Sequence, residues 1–259
     1  MKTKMILVTA LILCLGSFFM ISCQSASSTS SSTNKTLSDT DAKAYSEMGV
    51  NLSQQMTGSI VGWAQVGSVN GISPLSAASA SSLRTSTITD EGNGWSHLSD
   101  TTTEALGTLT ADLHIKLDKD ASGEVIGVWV YGSLALSVSA AGNNYTYKQT
   151  YGNGINDPYH GTITRTGSSI TNVALAGKST FTVDLITASI TVSVDMIFNY
   201  SNFSLPITSG SDYPNGKITI TSVVHNGVAQ PDIIITFNGT NIGTIDFGGS
   251  SISFIIQSI

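Results

Sequence analysis

From Trp95 onward, apolar and polar residues alternate along the chain with a period of two. Between Leu109 and Leu117, Leu, Ala and Ile fall on one face, and Thr, Asp, His and Lys fall on the other. This alternation is typical of antiparallel strands that are buried on one side and wet on the other. The pattern predicts about ten strands, over residues 109–117, 125–139, 145–151, 162–166, 170–176, 186–198, 216–224, 233–237, 243–247 and 252–256, with Phe181, Val183 and Leu185 alternating just before the strand at 186–198.

Turn signals and strand number indicate how these strands are arranged. Asn226-Gly227, Asn238-Gly239 and Gly248-Gly249 predict tight hairpin turns, and a change of parity at Leu185-Ile186 predicts a bulge or bend. About ten closely spaced strands exceed what a flat sheet carries comfortably. We therefore expect a mainly β fold with one antiparallel, curved or barrel-like meander sheet, and a two-sheet β-sandwich is the alternative. A transmembrane β-barrel is disfavoured because the sequence lacks aromatic girdles.

A helical period precedes the strands. One apolar face recurs at steps of three or four residues and is formed by Tyr45, Met48, Leu52, Met56, Ile60 and Trp63. Ser38 and Asp39 are N-cap candidates, and Asp41 falls in the first turn. Because the polar face is not rich in Lys and Arg, we expect this helix to pack on the sheet rather than to lie on a membrane surface.

The first 23 residues carry the features of an export signal. Lys2 and Lys4 precede an uncharged run over residues 5–21. That run is slightly short for a transmembrane helix, but it suits the apolar region of a signal peptide. Met20-Ile21-Ser22-Cys23 follows, and this tetrapeptide resembles the lipobox of bacterial lipoproteins, with Met20 in place of the preferred Leu.

The lipoprotein resemblance implies a chemistry for Cys23. Its sulfur receives a diacylglycerol, the peptide bond after Ser22 is cut, and the new amino group is acylated. Several acyl chains exceed what stable membrane anchoring needs. In enteric-type sorting an Asp after the cysteine favours the inner membrane, so Gln24 favours the outer membrane, with the domain facing either the periplasm or the cell surface. The alternatives are an uncleaved membrane helix and ordinary signal cleavage nearby.

These features predict a domain organisation. Residues 1–22 are the signal peptide, and residues 23–37 are the lipidated cysteine and a Ser/Thr-rich tether that cannot bury a core. Residues 38–259 form a single helix-plus-β domain. Within it, residues 67–93 have little periodicity and are expected to form a long loop, with room for a short helix near Leu75–Leu83.

Composition excludes several classes of protein. The chain has 11 Lys+Arg against 17 Asp+Glu, and an acidic chain without a basic cluster is not expected to bind nucleic acid. Its Ile, Val and Leu content excludes a fully disordered chain. Cys14 lies in the signal peptide and Cys23 is the lipidation site. We therefore expect no disulfide, no cysteine nucleophile and no thiolate metal site in the mature chain.

Candidate site residues are few. Asp118, Asp120 and Ser122, followed by Gly123, match the first half of a calcium-binding EF-hand loop. The twelfth position is Trp129 rather than Glu, and the flanking segments are predicted strands. A plain hairpin with Asx-turn hydrogen bonds is therefore favoured, and we expect no metal at these weak candidates.

The remaining polar residues suggest no chemistry of their own. The four histidines have no metal-pair spacing and are expected to be structural or surface residues: His97, His114, His160 and His225. Asp157 and His160 form the nearest approach to a polar cluster. The sequence contains no known catalytic or cofactor motif: no nucleophile elbow, phosphate loop, dinucleotide fingerprint or paired carboxylates. We therefore expect no catalytic residue and no cofactor.

The sequence thus predicts an anchored envelope lipoprotein that acts as a non-enzymatic binding or structural module. One alternative is a periplasmic carrier that holds a lipid or other hydrophobic ligand between sheet and helix, by fold-level analogy. Another is a hydrolytic enzyme with Asp157 and His160 in a cleft. The expected partners are the membrane, through the anchor, and an envelope protein or a hydrophobic ligand.

Overall fold

The computed structural model describes residues 37–67, 87–104, 107–140, 143–187, 191–207, 213–225 and 227–256. The predicted signal peptide, Cys23, residues 24–36 of the tether and the short helix near Leu75–Leu83 lie outside the described residues. Leu37, predicted as the last residue of the tether, is described and is buried in the core.

One helix and thirteen strands make up the described part of the chain. In chain order they are α1 (Asp39–Gly67), β1 (Thr87–Gly92), β2 (Trp95–Glu104), β3 (Gly107–Lys119), β4 (Val125–Ala140), β5 (Asn143–Tyr151), β6 (Tyr159–Thr166), β7 (Ser169–Ile186), β8 (Thr191–Pro206), β9 (Asn215–His225), β10 (Val228–Ala229), β11 (Ile233–Asn238), β12 (Ile242–Phe247) and β13 (Ser250–Ile255). All thirteen strands belong to one sheet, and the paired strands are antiparallel. The prediction of a mainly β fold with one antiparallel sheet and an N-terminal helix is therefore confirmed, and the two-sheet alternative is wrong.

The sheet is a meander with two strands off its main order, β6 and the two-residue β10, which pairs with β9. β4 and β7 are long strands, and both β5 and β6 pair with each of them. β5 and β6 therefore lie end to end in one strand position, and the loop of residues 152–158 leaves the sheet between them. Inside this loop, the Asn153 amide donates to the Asp157 carbonyl over 2.8 Å.

Two sequence expectations about local structure need correction. Residues 87–92 were expected to belong to a long loop, but they form β1, because this polar segment pairs with β2 through its backbone. The parity change at Leu185-Ile186 is not a bulge. It marks the end of β7, after which the chain reverses and Ile186 pairs with Thr191 of β8. A hairpin can also shift the apolar positions from odd to even residue numbers. The residues that connect β7 and β8 contain no Gly or Asn, so the sequence contains no turn signal there.

Helix α1 begins at the predicted cap. The Asp41 amide donates to the Ser38 hydroxyl over 3.1 Å, and that hydroxyl donates to the Asp41 carboxylate over 2.6 Å. This reciprocal pairing satisfies a backbone donor of the first turn and places a negative charge at the positive end of the helix.

The apolar face of α1 packs directly on the inner face of the sheet. Five of its six predicted residues are buried, and Trp63 is partly buried. A Cβ on Gly49 would lie 3.2 Å from Phe198 Cε1, and a Cβ on Gly161 of β6 would collide with Ile60. Glycine thus allows close approach on both sides of the interface, and helix and sheet share one continuous core.

We expect Ile60→Ala to destabilise the fold by about 2–5 kcal/mol, because a fully buried side chain is removed and a cavity remains. Urea denaturation followed by circular dichroism measures this free energy. Gln54→Ala, on the exposed side of the same helix, is the control and should stay within about 0.5 kcal/mol of the parent protein. Equal effects of both substitutions would contradict the described packing.

Candidate functional site

Six rings converge on the solvent side of the sheet, opposite α1. They form what we call the outer aromatic surface, and they are Trp95, His97, His114, Trp129, Tyr131 and His160. Residues directly opposite each other across neighbouring strands share a face of the sheet. Two adjacent rows result, one across β2, β3 and β4, and the other continuing to β6.

The first row is a stack of three rings. His97 pairs with His114 across β2 and β3, and His114 pairs with Tyr131 across β3 and β4. The two imidazole centroids lie 4.2 Å apart with the planes 4° from parallel, and the His114 and Tyr131 rings lie 4.2 Å apart at 5°. Because the ring faces contact each other, the imidazole nitrogens at the ring edges are the parts left for polar contacts.

The second row contains both tryptophans. Trp95 pairs with Lys116, Lys116 with Trp129, and Trp129 with His160. The Trp129 and His160 rings stack with centroids 3.7 Å apart. Trp95 packs edge-on against Tyr131 of the first row, with centroids 5.0 Å apart, and is buried although it lies on the outer face.

Three carboxylates border the outer aromatic surface. Glu91 Oε2 lies 2.7 Å from His114 Nδ1, and Asp112 Oδ1 lies 2.6 Å from His97 Nε2. Asp118 accepts a hydrogen bond from the Trp129 indole nitrogen, and its other oxygen lies 3.9 Å from the Lys116 ammonium. Burial raises the pKa of Tyr131, and the charges of Glu91 and Asp112 raise it further.

The surroundings of His160 act on its pKa in opposite directions, and the net shift favours the neutral imidazole. Desolvation lowers the pKa of His160, and the negative charge of Asp118 opposes this effect. Both groups lie over Gly127, where a Cβ would be 3.2 Å from His160 Nε2 and 3.4 Å from Asp118 Oδ2. The missing side chain at Gly127 makes room for this arrangement.

The weak metal candidates from the sequence lie in a local turn. Asp120 Oδ1 accepts hydrogen bonds from the Ser122 amide and hydroxyl and from the Glu124 amide, at 2.6 to 3.0 Å. The hydrogen bond from the Ser122 side chain is the main cause that lowers the pKa of Asp120. Asp118 instead contacts Trp129. This is the geometry of an Asx turn that closes the β3–β4 hairpin.

The other candidates have separate surroundings. The Asp157 carboxylate accepts a hydrogen bond from the side-chain nitrogen Nδ2 of Asn153 over 2.5 Å, within its own loop. The His160 ring instead stacks on Trp129. His225 Nδ1 lies 3.0 Å from the Tyr45 hydroxyl of α1, so this histidine links helix and sheet.

Sequence reasoning missed the pairing of His97 with His114. The two are 17 positions apart, and the pairing depends on the register of the β2–β3 hairpin. The available signal was their place on the polar positions of two successive strands. A predicted register for that hairpin would have brought them together.

Comparison with protein-family models, curated proteins and solved structures gave no match to this chain. Among the described residues, no helix combines the length and the hydropathy needed to cross a membrane.

We expect Asp118→Asn to lower the pKa of His160 further, because it removes the negative charge that favours the imidazolium. NMR titration of the histidine ring protons measures this shift. Asp112→Asn, in the neighbouring row, is the control and should leave the pKa of His160 unchanged. A rise in the His160 pKa in Asp118→Asn would contradict the described geometry.

The lowered pKa of His160 also sets a direction for stability. The unfolded chain, in which histidine titrates at about pH 6.5, binds this proton first as pH falls. Stability from His160 is therefore present above that pH and is lost below it. Urea unfolding at pH 7.5 and at pH 5.5 measures this loss as a lower unfolding midpoint at the lower pH. In His160→Phe the midpoint should change less between the two pH values.

Proposed function

We propose that this protein is a lipid-anchored lipoprotein of a bacterial envelope, and that it acts as a non-enzymatic binding module through its outer aromatic surface. One observation carries the binding role. Three of the four histidines and two of the three tryptophans lie together on the solvent side of one sheet region. Large rings are more often buried in a core, so their collection on an outer face favours binding.

The two faces of the sheet support this assignment. The inner face packs against α1, with Gly49 close to Phe198 and Ile60 against Gly161. A hydrophobic carrier would place its ligand between helix and sheet, and close contact at these positions gives that alternative no support. The outer face carries polar ring edges and carboxylates, which suit a polar or charged ligand.

The anchor follows from Met20-Ile21-Ser22-Cys23, and it attaches the protein to the membrane through Cys23. The Ser/Thr-rich tether separates the anchor from α1, which begins at Asp39. This arrangement holds the outer aromatic surface near the membrane without burying it in the bilayer. The sequence has no Lys/Arg cluster, which agrees with attachment by acyl chains rather than by charge.

We expect Cys23→Ser to abolish incorporation of labelled palmitate and to block cleavage after Ser22, because the acylated sulfur is removed. Expression in a bacterial host, followed by fractionation and mass spectrometry of the N-terminus, measures both effects. Cys14→Ser, within the signal peptide, is the matched control and should be processed like the parent chain. Palmitate label that persists in Cys23→Ser would overturn the proposed anchor.

A further inference from the structure

Glu91, His97 and His114 bring metal-ligating atoms together at one end of the outer aromatic surface. Each side chain offers one ligand atom, and these atoms all lie within 4.8 Å of one another. The two histidines are direct partners across β2 and β3, so the backbone hydrogen bonds of the sheet hold their Cα atoms in place. The site is half-exposed and can be reached from solvent.

A β-bulge places Glu91 beside the histidines. The register between β1 and β2 shifts between Asp90 and Gly92, so Glu91 is the extra residue of the bulge. The turn that follows is tight, with positive φ at Gly92, Asn93 and Gly94. Bulges commonly re-aim a side chain near a functional site. Here the carboxylate of Glu91 reaches His114 Nδ1 at 2.7 Å.

Asp112 supplies the support that ligating histidines need. Its Oδ1 lies 2.6 Å from His97 Nε2 and 4.0 Å from His114 Nε2. Metal-ligating imidazoles usually donate their second N–H to a carboxylate, which selects the tautomer and orients the ring. Tyr131 adds a second restraint, because its ring stacks on His114.

The charge of the cluster suits a divalent cation. Glu91 and Asp112 bring two negative charges to two imidazoles. The nearby cation, Lys116, has its ammonium 3.9 Å from Asp118 Oδ1. A doubly charged ion would balance the two carboxylates with both imidazoles neutral, which is the form that coordinates metal.

We propose that Glu91, His97 and His114 bind one zinc ion, with Asp112 as the supporting carboxylate. Two imidazoles and one carboxylate are a donor set that zinc prefers, and a tetrahedral ion keeps a fourth position for water or for a group of the partner. Calcium and magnesium take oxygen ligands, so the imidazoles argue against them. Zinc ligands lie at about 2.0–2.2 Å, and an imidazole binds the ion in the plane of its ring. The two stacked imidazoles must therefore turn out of their parallel arrangement so that one nitrogen of each points at the ion.

The zinc site rests on the proposed function, because it names the chemistry at one end of the outer aromatic surface. Its test does not depend on the anchor. Zinc binding is measured with the purified full-length protein in detergent, whereas Cys23 is tested by fractionation and labelling. A failure of zinc binding therefore leaves the anchor standing, and a failure of the anchor leaves the zinc site standing.

The test uses full-length protein that has been stripped with EDTA and titrated with zinc chloride in a calorimeter. We expect one zinc per chain. His97→Phe and His114→Phe keep a planar ring in the stack but remove the ligand nitrogens, so each should weaken binding at least about ten-fold. Asp112→Asn should weaken it by about 10–100-fold. His225→Phe, whose ring lies against Tyr45 of α1 and outside the outer aromatic surface, is the control and should bind zinc like the parent protein.

A second readout locates the ion. Zinc should shift the NMR signals of the His97 and His114 rings and leave those of His160 and His225 in place. Circular dichroism of each variant shows that loss of binding does not come from loss of fold. Absence of binding to the parent protein, or unchanged binding to the double variant His97→Phe/His114→Phe, would overturn the proposal.

Discussion

The contact between α1 and the inner face of the sheet is the constraint on which the rest of the structure depends. A sheet whose strands alternate apolar and polar residues must cover its apolar face. Fully burying one large apolar side chain contributes about 1.5–3 kcal/mol, and α1 adds several, with Ile60 and Tyr45 almost fully buried. The glycines at positions 49 and 161 let helix and sheet approach closely.

Because the core forms on the inner face, the outer face is free for other chemistry. There, strand pairing places rings of β2, β3, β4 and β6 in two rows and borders them with carboxylates. Two local irregularities shape this surface. The bulge at Glu91 brings a carboxylate to His114, and Gly127 makes space for His160 beside Asp118.

The sequence predicted what depends on local periodicity and missed what depends on register. Residue spacing alone predicts the strand alternation over Leu109–Leu117 and the apolar helix face from Tyr45 to Ile60. Both predictions were confirmed. The sequence did not predict β1, because its residues are mostly exposed and therefore show no apolar alternation. Backbone pairing with β2 holds this strand in the sheet. The pairing of His97 with His114 depends on how the β2–β3 hairpin aligns, and residue spacing alone does not specify that alignment.

Ionisation of the core tyrosines tests the central claim, that α1 seals the inner face, most directly. Burial raises the pKa of Tyr45, Tyr151, Tyr159 and Tyr200, so the unfolded chain loses these protons first above about pH 10. Absorbance at 295 nm should show these four ionising only together with loss of the circular dichroism signal, as a cooperative step well above pH 10. Ionisation of all eight tyrosines near pH 10 with the fold intact would contradict a sealed core.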